Sequence, residues 1–196
     1  TDQVTPENAH LLTPRWLFQH GVIDGVSNQT TPVIVDGVMY VTDSRGSIYA
    51  VNAKDGHLLW IYDVTELLGG GRQEGYIFRH RGVTYADGVV YSAAGPFMFA
   101  LDAETGERRW HYQFTPHELW DYDIPTAPIL VDIEVDGAPV KAVVQLSKQG
   151  FAYVLNRETG EPVWPIEERP VPESDVPGEW TAPTQPFPTR PPAFER

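Results

Sequence analysis

Several features that would point to common functions are missing from this sequence. There is no cysteine among its 196 residues, which excludes a disulfide framework and thiol chemistry. Basic residues are scarce, since 14 lysines and arginines stand against 27 aspartates and glutamates, and the formal net charge is −13. An acidic chain repels phosphate backbones, so no nucleic acid is expected as a partner.

The usual signs of membrane, secretory, nucleotide and hydrolase chemistry are also lacking. No apolar run approaches the roughly 18 residues that would indicate a membrane span. Residues 1–20 have no basic start followed by an apolar stretch, so no signal peptide is expected in this chain. There is no glycine-rich phosphate loop and no Ser-His-Asp grouping, and the six histidines do not have zinc-site spacing.

The sequence does contain a repeated unit. Residues 49–60, 99–110 and 153–164 each combine an opening aromatic, an Asp or Asn, a turn glycine and a tryptophan. Their turn glycines recur about every 50 residues, a period that for strand units indicates a β-propeller. Because one unit cannot bury both faces of its sheet, neighbouring units must stack. Eighteen prolines, 17 glycines and 12% aromatic residues fit short strands joined by turns.

We therefore predict an all-β fold of four-stranded antiparallel propeller blades over residues 1–164. Hairpins are predicted at three Asp-Gly pairs, residues 36–37, 87–88 and 136–137. About three to four blades predict an incomplete ring, whose open edges favour self-association. The tryptophans expected to pack between blades are Trp60, Trp110 and Trp164. Trp16, in a strand predicted at residues 16–18, is expected to be the docking tryptophan of another repeat.

Two stretches depart from the repeat. Residues 66–80 carry three consecutive glycines and little periodicity, which predicts a long loop between blades. Residues 165–196 hold nine of the eighteen prolines, so we separate them from the blades as a proline-rich segment with little strand pairing. This segment is either a disordered tail or an ordered loop across a propeller face. In the second case Trp180, Phe187 and Phe194 are its anchors.

The densest polar and aromatic cluster is residues 116–123, Pro-His-Glu-Leu-Trp-Asp-Tyr-Asp. Asp121 and Asp123 are two residues apart, so in an extended segment their side chains share a face. Such a pair suits a hard cation such as Ca²⁺, which prefers carboxylate oxygens. The alternative is a capping or turn network at the edge of a blade.

Several longer strings resemble the quinoprotein dehydrogenases, and in particular their membrane-type glucose and quinate dehydrogenase branch. The resemblance covers nearly the whole chain. Its motifs are residues 5–8 (Thr-Pro-Glu-Asn), 31–37 (Thr-Pro-Val-Ile-Val-Asp-Gly), 81–83 (Arg-Gly-Val), 117–125 (His-Glu-Leu-Trp-Asp-Tyr-Asp-Ile-Pro), 148–151 (Lys-Gln-Gly-Phe), 167–172 (Glu-Glu-Arg-Pro-Val-Pro) and 184–187 (Thr-Gln-Pro-Phe).

The resemblance implies an eight-bladed propeller that oxidises a sugar, polyol or alcohol by hydride transfer to pyrroloquinoline quinone (PQQ). It also implies Ca²⁺ or a related ion beside PQQ, an aspartate as catalytic base, a quinone or cytochrome as electron acceptor, and a periplasmic location. Two residues carry over as cofactor-binding candidates. Arg81 matches an arginine that contacts the PQQ carboxylates, and guanidinium suits bidentate carboxylate binding. Gln29 stands where many family members have a glutamate facing the cofactor.

The chain departs from the family pattern between its second blade and residues 110–123. The family segment that carries the metal-ligating Glu and Asn, the stacking Trp and the catalytic Asp has no counterpart here, so catalytic and metal-ligating residues are not assigned. The chain also ends within the proline-rich segment. We therefore interpret it as a fragment or shortened relative of a PQQ-dependent dehydrogenase, with little or no turnover alone. The alternative is a propeller that binds no cofactor and serves as a scaffold for protein partners.

Overall fold

The computed structural model describes residues 3–22, 29–69, 81–117 and 119–194. These ranges contain one 3₁₀ turn, Ala9–Leu11, and thirteen strands in four antiparallel sheets. Two sheets have four strands in sequential order, one has three strands, and one is a two-stranded hairpin. In these ranges no helix is long and apolar enough to cross a membrane. The predicted all-β fold is confirmed.

The blades follow the chain order. Blade 1 contains β1 (Val33–Val35), β2 (Val38–Thr42), β3 (Ile48–Asn52) and β4 (Leu58–Tyr62). Blade 2 contains β5 (Thr84–Ala86), β6 (Val89–Ala94), β7 (Phe97–Asp102) and β8 (Arg108–Gln113). Blade 3 contains β9 (Ile129–Val135), β10 (Ala138–Leu146) and β11 (Ala152–Asn156), and the hairpin consists of β12 (Ile166–Pro170) and β13 (Thr184–Pro188).

The Asp-Gly pairs make the turns between the first and second strands. Asp36, Asp87 and Asp136 each have φ of 50°, and the glycine that follows each also has positive φ. Positive φ at both central residues matches the right-handed twist of the flanking strands, which is why Asp-Gly is favoured in two-residue hairpins. The three predicted hairpins are present as β1–β2, β5–β6 and β9–β10.

A side-chain acceptor closes each turn after the third strand. In blade 2, Asp102 Oδ1 accepts hydrogen bonds from the amides of Glu104 and Thr105, both at 3.0 Å. The Arg109 guanidinium, 2.7 Å from Asp102 Oδ2, and the turn amides lower the pKa of Asp102 to about 2. Asn52 and Asn156 accept from turn amides at the equivalent positions. The Asp or Asn of the repeat therefore organises the turn that carries the repeated glycine.

Three of the tryptophans dock on the turn of the repeat that follows them. The indole Nε1 groups of Trp16, Trp60 and Trp110 donate to the carbonyl oxygens of Ala53, Ala103 and Arg157, respectively, at 3.0–3.1 Å. Each ring lies directly over a turn glycine, since a Cβ added at Gly56, Gly106 or Gly160 would approach the ring to within 2.7–2.8 Å. Each turn glycine is therefore required for two reasons, its positive φ and the close approach of the indole ring.

Blade 3 differs from the expected four strands. After β11 no full strand continues the sheet in the described residues, and the pairing is limited to an isolated bridge, Leu155 to Pro162, and a hydrogen bond from Val163 N to Val154 O at 2.9 Å. Pro162 and Pro165 flank Trp164 and have no N–H to donate to a strand ladder. Trp164 is half-buried, and in the described ranges no further blade offers it a turn glycine. The predicted fourth strand and the predicted docking of Trp164 between blades are therefore wrong for the described part of the chain, and residues 16–18 dock without forming the predicted strand.

The hydrophobic cores lie between adjacent blades. One core joins blades 1 and 2 through Tyr40, Ile48, Phe99 and Leu101, and a second core joins blades 2 and 3 around Tyr153. No core of the described residues joins blade 1 to blade 3, so the three blades form an open arc. The first strands are closest to one another, because β5 contacts β9 and Thr84 Oγ1 donates to Pro128 O at 2.6 Å.

One end of the arc carries the loops that contain the candidate site residues. Each first strand begins at this end and, because the strands are antiparallel, each second strand ends there. We call it the upper face. Its described segments are residues 29–32, 43–47, 63–69, 81–83, 95–96, 114–117, 119–128 and 147–151.

The proline-rich segment crosses the upper face at blade 3. Its hairpin register pairs Arg169 with Gln185, and Tyr153 of blade 3 donates from its hydroxyl to Pro186 O at 2.9 Å. The amide of Phe194 donates to Gly150 O at 2.9 Å, and the Phe187 ring lies 5.4 Å from that of Phe151. Residues 165–194 thus have the contacts of an ordered segment rather than a tail. The expectation of little strand pairing here is wrong, because β12 and β13 form an antiparallel hairpin. The loop predicted at residues 66–80 is described only for 66–69, and its remainder lies outside the described residues.

Candidate functional site

The two predicted cofactor-binding residues lie together on the upper face. Gln29 precedes β1 and Arg81 precedes β5, and Arg81 Nη1 donates to Gln29 Oε1 at 2.5 Å. Gly82 makes this contact possible, because it has φ of 99° and a Cβ at this position would lie 3.0 Å from Thr31 O. The two chain segments can therefore run side by side at the start of neighbouring blades.

The charge of Arg81 is not compensated by this contact. Gln29 is neutral, and among the described residues no carboxylate pairs with Arg81. Both side chains are exposed. An exposed guanidinium with a neutral neighbour suits a carboxylate ligand, which accepts two parallel hydrogen bonds from it.

A second polar cluster lies on the upper face at blade 3. Lys148, in the β10–β11 loop, places its Nζ 2.6 Å from Asp121 Oδ2 and 2.6 Å from Asp123 Oδ2. The amide of Lys148 also donates to Asp123 O at 2.9 Å. The main-chain bond fixes the loop beside residues 121–123, and the ammonium then joins the two carboxylates. We call these three residues the lysine–aspartate cluster.

The backbone of Asp121 is unusual. Its φ is 61°, and it is the one non-glycine residue with positive φ outside the Asp-Gly turns in the part of the chain that the structure describes. A non-glycine residue in this left-handed region is strained unless the surroundings hold it there. Aspartate tolerates this region better than most residues, and the unusual backbone together with the ion pair to Lys148 singles out Asp121 as a functional candidate in the cluster.

The ion pairs bias the protonation of the cluster. Hydrogen bonding to Lys148 lowers the pKa of Asp121, and the hydrogen bond to Asp121, followed by that to Asp123, raises the pKa of Lys148. Both shifts favour the charged forms, so carboxylate and ammonium coexist over the whole neutral range. All three side chains are substantially exposed, so the cluster is accessible to a ligand.

We expect Lys148→Ala to raise the pKa of Asp121 toward the ordinary value of about 3.9, because the cation that favours its ionised form is removed. Carboxyl carbon chemical shifts followed by NMR across a pH titration measure this. Lys141→Ala is the matched control. Lys141 contacts Asp87 at 3.1 Å and lowers its pKa in the same way, so this variant raises the pKa of Asp87 and leaves Asp121 unchanged. An unchanged Asp121 titration in Lys148→Ala would contradict the assigned ion pair.

The cation expected between Asp121 and Asp123 does not fit the described residues. In the described ranges no group of three or more His, Asp or Glu side chains could hold a metal ion, whereas Ca²⁺ takes about six to eight oxygen ligands. Lys148 supplies the positive charge between the two carboxylates instead. Of the two interpretations that the sequence left open for Asp121 and Asp123, a cation site and a local polar network, the described residues support the polar network.

Aromatic side chains flank the lysine–aspartate cluster. The rings of His117 and Trp180 stack with centroids 3.7 Å apart and planes within 9°. The rings of Trp120 and Tyr122 are also stacked, with centroids 5.4 Å apart. Trp180, an anchor predicted from the sequence, thus contacts the cluster segment, while Glu118 lies outside the described residues.

Lys148 was not predicted as a site residue. The available signal was its Lys-Gln-Gly-Phe string, which lies in the upper-face loop of blade 3 once the strands are placed. The pairing with residues 121 and 123, more than 20 positions earlier, depends on the antiparallel register of β9, β10 and β11. Arg81 and Gln29 form one group on blades 1 and 2, and the lysine–aspartate cluster forms another on blade 3. Among the described residues, no hydrogen bond or ion pair joins these two groups directly.

The fold and these two groups define a propeller-type chain with its candidate ligand-binding side chains on one face. The model of the PQQ family "Glucose/ethanol/alcohol dehydrogenase, beta-propeller domain" matches residues 1–96 and 92–196. The chain belongs to this family of quinoprotein dehydrogenases, which confirms the resemblance inferred from the sequence motifs.

Two relatives and one solved structure illustrate the match. The glycerol dehydrogenase large subunit of Gluconobacter oxydans is 32% identical over 209 residues, covering 86% of this chain and 28% of that protein. The quinoprotein glucose dehydrogenase of the same organism is 46% identical over 93 residues, covering 47% of this chain and 12% of that protein. A europium-containing methanol dehydrogenase shares the fold, with a TM-score of 0.52 and 22% identity over 69% of this chain and 34% of that structure. The chain thus spans less than a third of the length of these curated relatives.

Proposed function

We propose that this chain is part of a PQQ-dependent dehydrogenase that oxidises the hydroxyl group of a sugar, polyol or alcohol. The observation that carries the proposal is the Arg81–Gln29 pair on the upper face of a chain of this family, because it presents an exposed guanidinium, bonded to a neutral amide, at the junction of two blades. PQQ carries carboxylate groups, and an exposed guanidinium fits them. When bound, PQQ supplies the quinone carbonyl that is reduced during the oxidation.

In this proposal Asp121 is the proton acceptor. A substrate hydroxyl must lose its proton as hydride leaves the adjacent carbon, so a carboxylate within hydrogen-bond reach assists the step. Asp121 is ionised, accessible and held in an unusual backbone conformation, and Lys148 keeps it charged. The cation that the family resemblance implies has no ligand set among the described residues, and we derive no step from it.

The remaining assignments also come from the family resemblance. We propose a periplasmic location, a quinone or cytochrome as electron acceptor, and Ca²⁺ or a related ion as the cation beside PQQ. We also propose a boundary between the blades and the proline-rich segment at residue 164, and self-association of the isolated chain through the open edges of its arc.

The cofactor assignment predicts a defined loss on Arg81→Ala. A charge-assisted hydrogen bond contributes about 1.5–3 kcal/mol, so the dissociation constant for PQQ is expected to rise about ten- to hundredfold. Isothermal titration calorimetry measures it. Arg108→Ala is the matched control, because Arg108 is also exposed and also contacts a neutral group, the Tyr62 hydroxyl at 3.1 Å, but on outer strands. Equal losses in the two variants would show that PQQ responds only to net charge.

Turnover by the isolated chain is expected to be very low. The chain covers only part of the length of its relatives. Hydride transfer needs both the carboxylate of Asp121 and the cofactor contact of Arg81 to be held in place, and these two residues lie on separate blades. The assay adds PQQ and Ca²⁺ and follows glucose- or glycerol-dependent reduction of an artificial electron acceptor. Robust turnover that Arg81→Ala abolishes would show that the described blades suffice, and would contradict our interpretation of the chain as catalytically incomplete.

A further inference from the structure

The stacked pair of His117 and Trp180 stands out among the surface aromatics. The two rings are nearly parallel at 3.7 Å, so one face of the indole is covered by the imidazole. Trp180 is nevertheless 62% exposed, which is uncommon for the largest apolar side chain. An exposed tryptophan that is held in a stack presents its other face as a flat, oriented surface.

Two hydrogen bonds to the His117 carbonyl hold this pair in place. The carbonyl oxygen of His117 accepts a hydrogen bond from the amide of Ala182 at 2.8 Å and one from Gln185 Nε2 at 3.3 Å. Gln185 is fully buried and lies in β13. The chain just after Trp180 is therefore tied to His117 itself, and the stack needs little ordering when a ligand binds.

Polar groups suited to hydroxyls lie further along the same segment. Asp121 is four residues after His117, so their Cα atoms are at most about 15 Å apart. Lys148 holds Asp121 and Asp123 by its two ion pairs, and all three groups are exposed. The chain segment that forms the aromatic stack thus also carries two hydroxyl-accepting carboxylates, which a donating ammonium joins.

We propose that the His117–Trp180 stack is a substrate-positioning platform for the ring of a cyclic polyol, such as a pyranose. The ring lies with its C–H face on the open face of Trp180, while its hydroxyls bond to the lysine–aspartate cluster. Ring C–H groups carry slight positive charge and are attracted to the negative face of an indole. An open-chain polyol has no such flat C–H face, so the platform selects rings over chains.

The charge of the protein favours this occupant over an anionic one. The net charge is −13, and two carboxylates stand next to the platform, so an anionic lipid surface or nucleotide is repelled. A neutral polyol is not repelled and offers both an apolar face and hydroxyls. The inference rests on the proposed function for its substrate class, but its geometry concerns residues that do not touch Arg81.

The test monitors the indole N–H signal of Trp180 by NMR during titration of the whole chain with methyl β-D-glucopyranoside. The signal is assigned by its loss in Trp180→Phe. We expect a saturable shift with the glucoside and none with sorbitol, an open-chain polyol. Trp180→Ala should weaken glucoside binding at least tenfold, while Trp180→Phe, which keeps an aromatic face, should weaken it only a few-fold. The unchanged spectrum of other residues verifies that both variants are folded.

Phe194→Ala is the matched control, because Phe194 is equally exposed on the same segment but has no stacked partner among the described rings. It should leave glucoside binding unchanged. Equal shifts with sorbitol, equal losses in Phe194→Ala, or a Trp180 shift that depends on protein concentration without ligand would each overturn the platform. Glucoside binding without PQQ binding would refute the proposed function alone, and PQQ binding without glucoside binding would refute the platform alone.

Discussion

Replacing Trp110 with alanine is expected to lower the free energy of unfolding by about 3–5 kcal/mol, the range for truncating a buried aromatic. Trp110 is only 9% exposed, donates to Arg157 O at 3.1 Å and lies over the turn that contains Gly160. Its ring belongs to the core that joins blades 2 and 3. Because domains are stable by only about 5–15 kcal/mol, this single change should bring the chain close to unfolding.

Urea denaturation monitored by circular dichroism measures the loss, and Trp164→Ala is the matched control. Trp164 occupies the same position in the repeat but is only half-buried, and no turn glycine lies against it in the described residues. Its replacement should cost about 1 kcal/mol, the average for a point change. Equal losses in Trp110→Ala and Trp164→Ala would show that docking on the next turn adds nothing beyond the hydrophobicity of the side chain.

The contrast between these two tryptophans shows how far a repeat can predict a fold. Spacing identified Trp60, Trp110 and Trp164 as equivalent because the pattern is local. Docking, however, depends on the element that packs against the tryptophan in space. Trp60 and Trp110 each meet the turn of the next blade, whereas the prolines around Trp164 interrupt the strand and the chain turns into the β12–β13 hairpin. A local pattern predicts the blade but not the neighbour of its last strand.

The candidate site was also predicted only in part, because local sequence patterns do not predict contacts between distant residues. Arg81 and Gln29 were predicted as cofactor-binding residues, and the structure places them in contact, although binding itself stays a prediction. The pair of Asp121 and Asp123 was singled out from the sequence as a polar cluster, but its partner was left open between a hard cation and a local turn network. The partner in the structure is Lys148, which the strand register of blade 3 brings next to both aspartates. Sequence spacing cannot supply a contact that depends on strand pairing across more than 20 residues.

The second large loss of stability is expected when the turn glycine beneath a docked tryptophan is replaced. Gly160→Ala should destabilise the chain by roughly 2–5 kcal/mol, from two sources. An alanine in the left-handed region costs about 1–2 kcal/mol, and a Cβ 2.7 Å from the Trp110 ring forces the ring to move, which costs about 1–3 kcal/mol more. Gly137→Ala is the matched control, since Gly137 has nearly the same φ, 79° against 78°, but nothing within 4 Å of its added Cβ.

A double-mutant cycle separates the two sources. When Trp110 is already alanine, the added Cβ at residue 160 meets no indole ring, so Gly160→Ala should cost only the backbone term of about 1–2 kcal/mol that Gly137→Ala costs. The coupling free energy between residues 110 and 160 then measures how much the packing of the indole on the turn glycine stabilises the chain. This packing recurs in every docked repeat. If Gly160→Ala costs the same with and without Trp110, the glycine is needed for its backbone conformation alone, and the close packing of indole on the turn does not stabilise the arc.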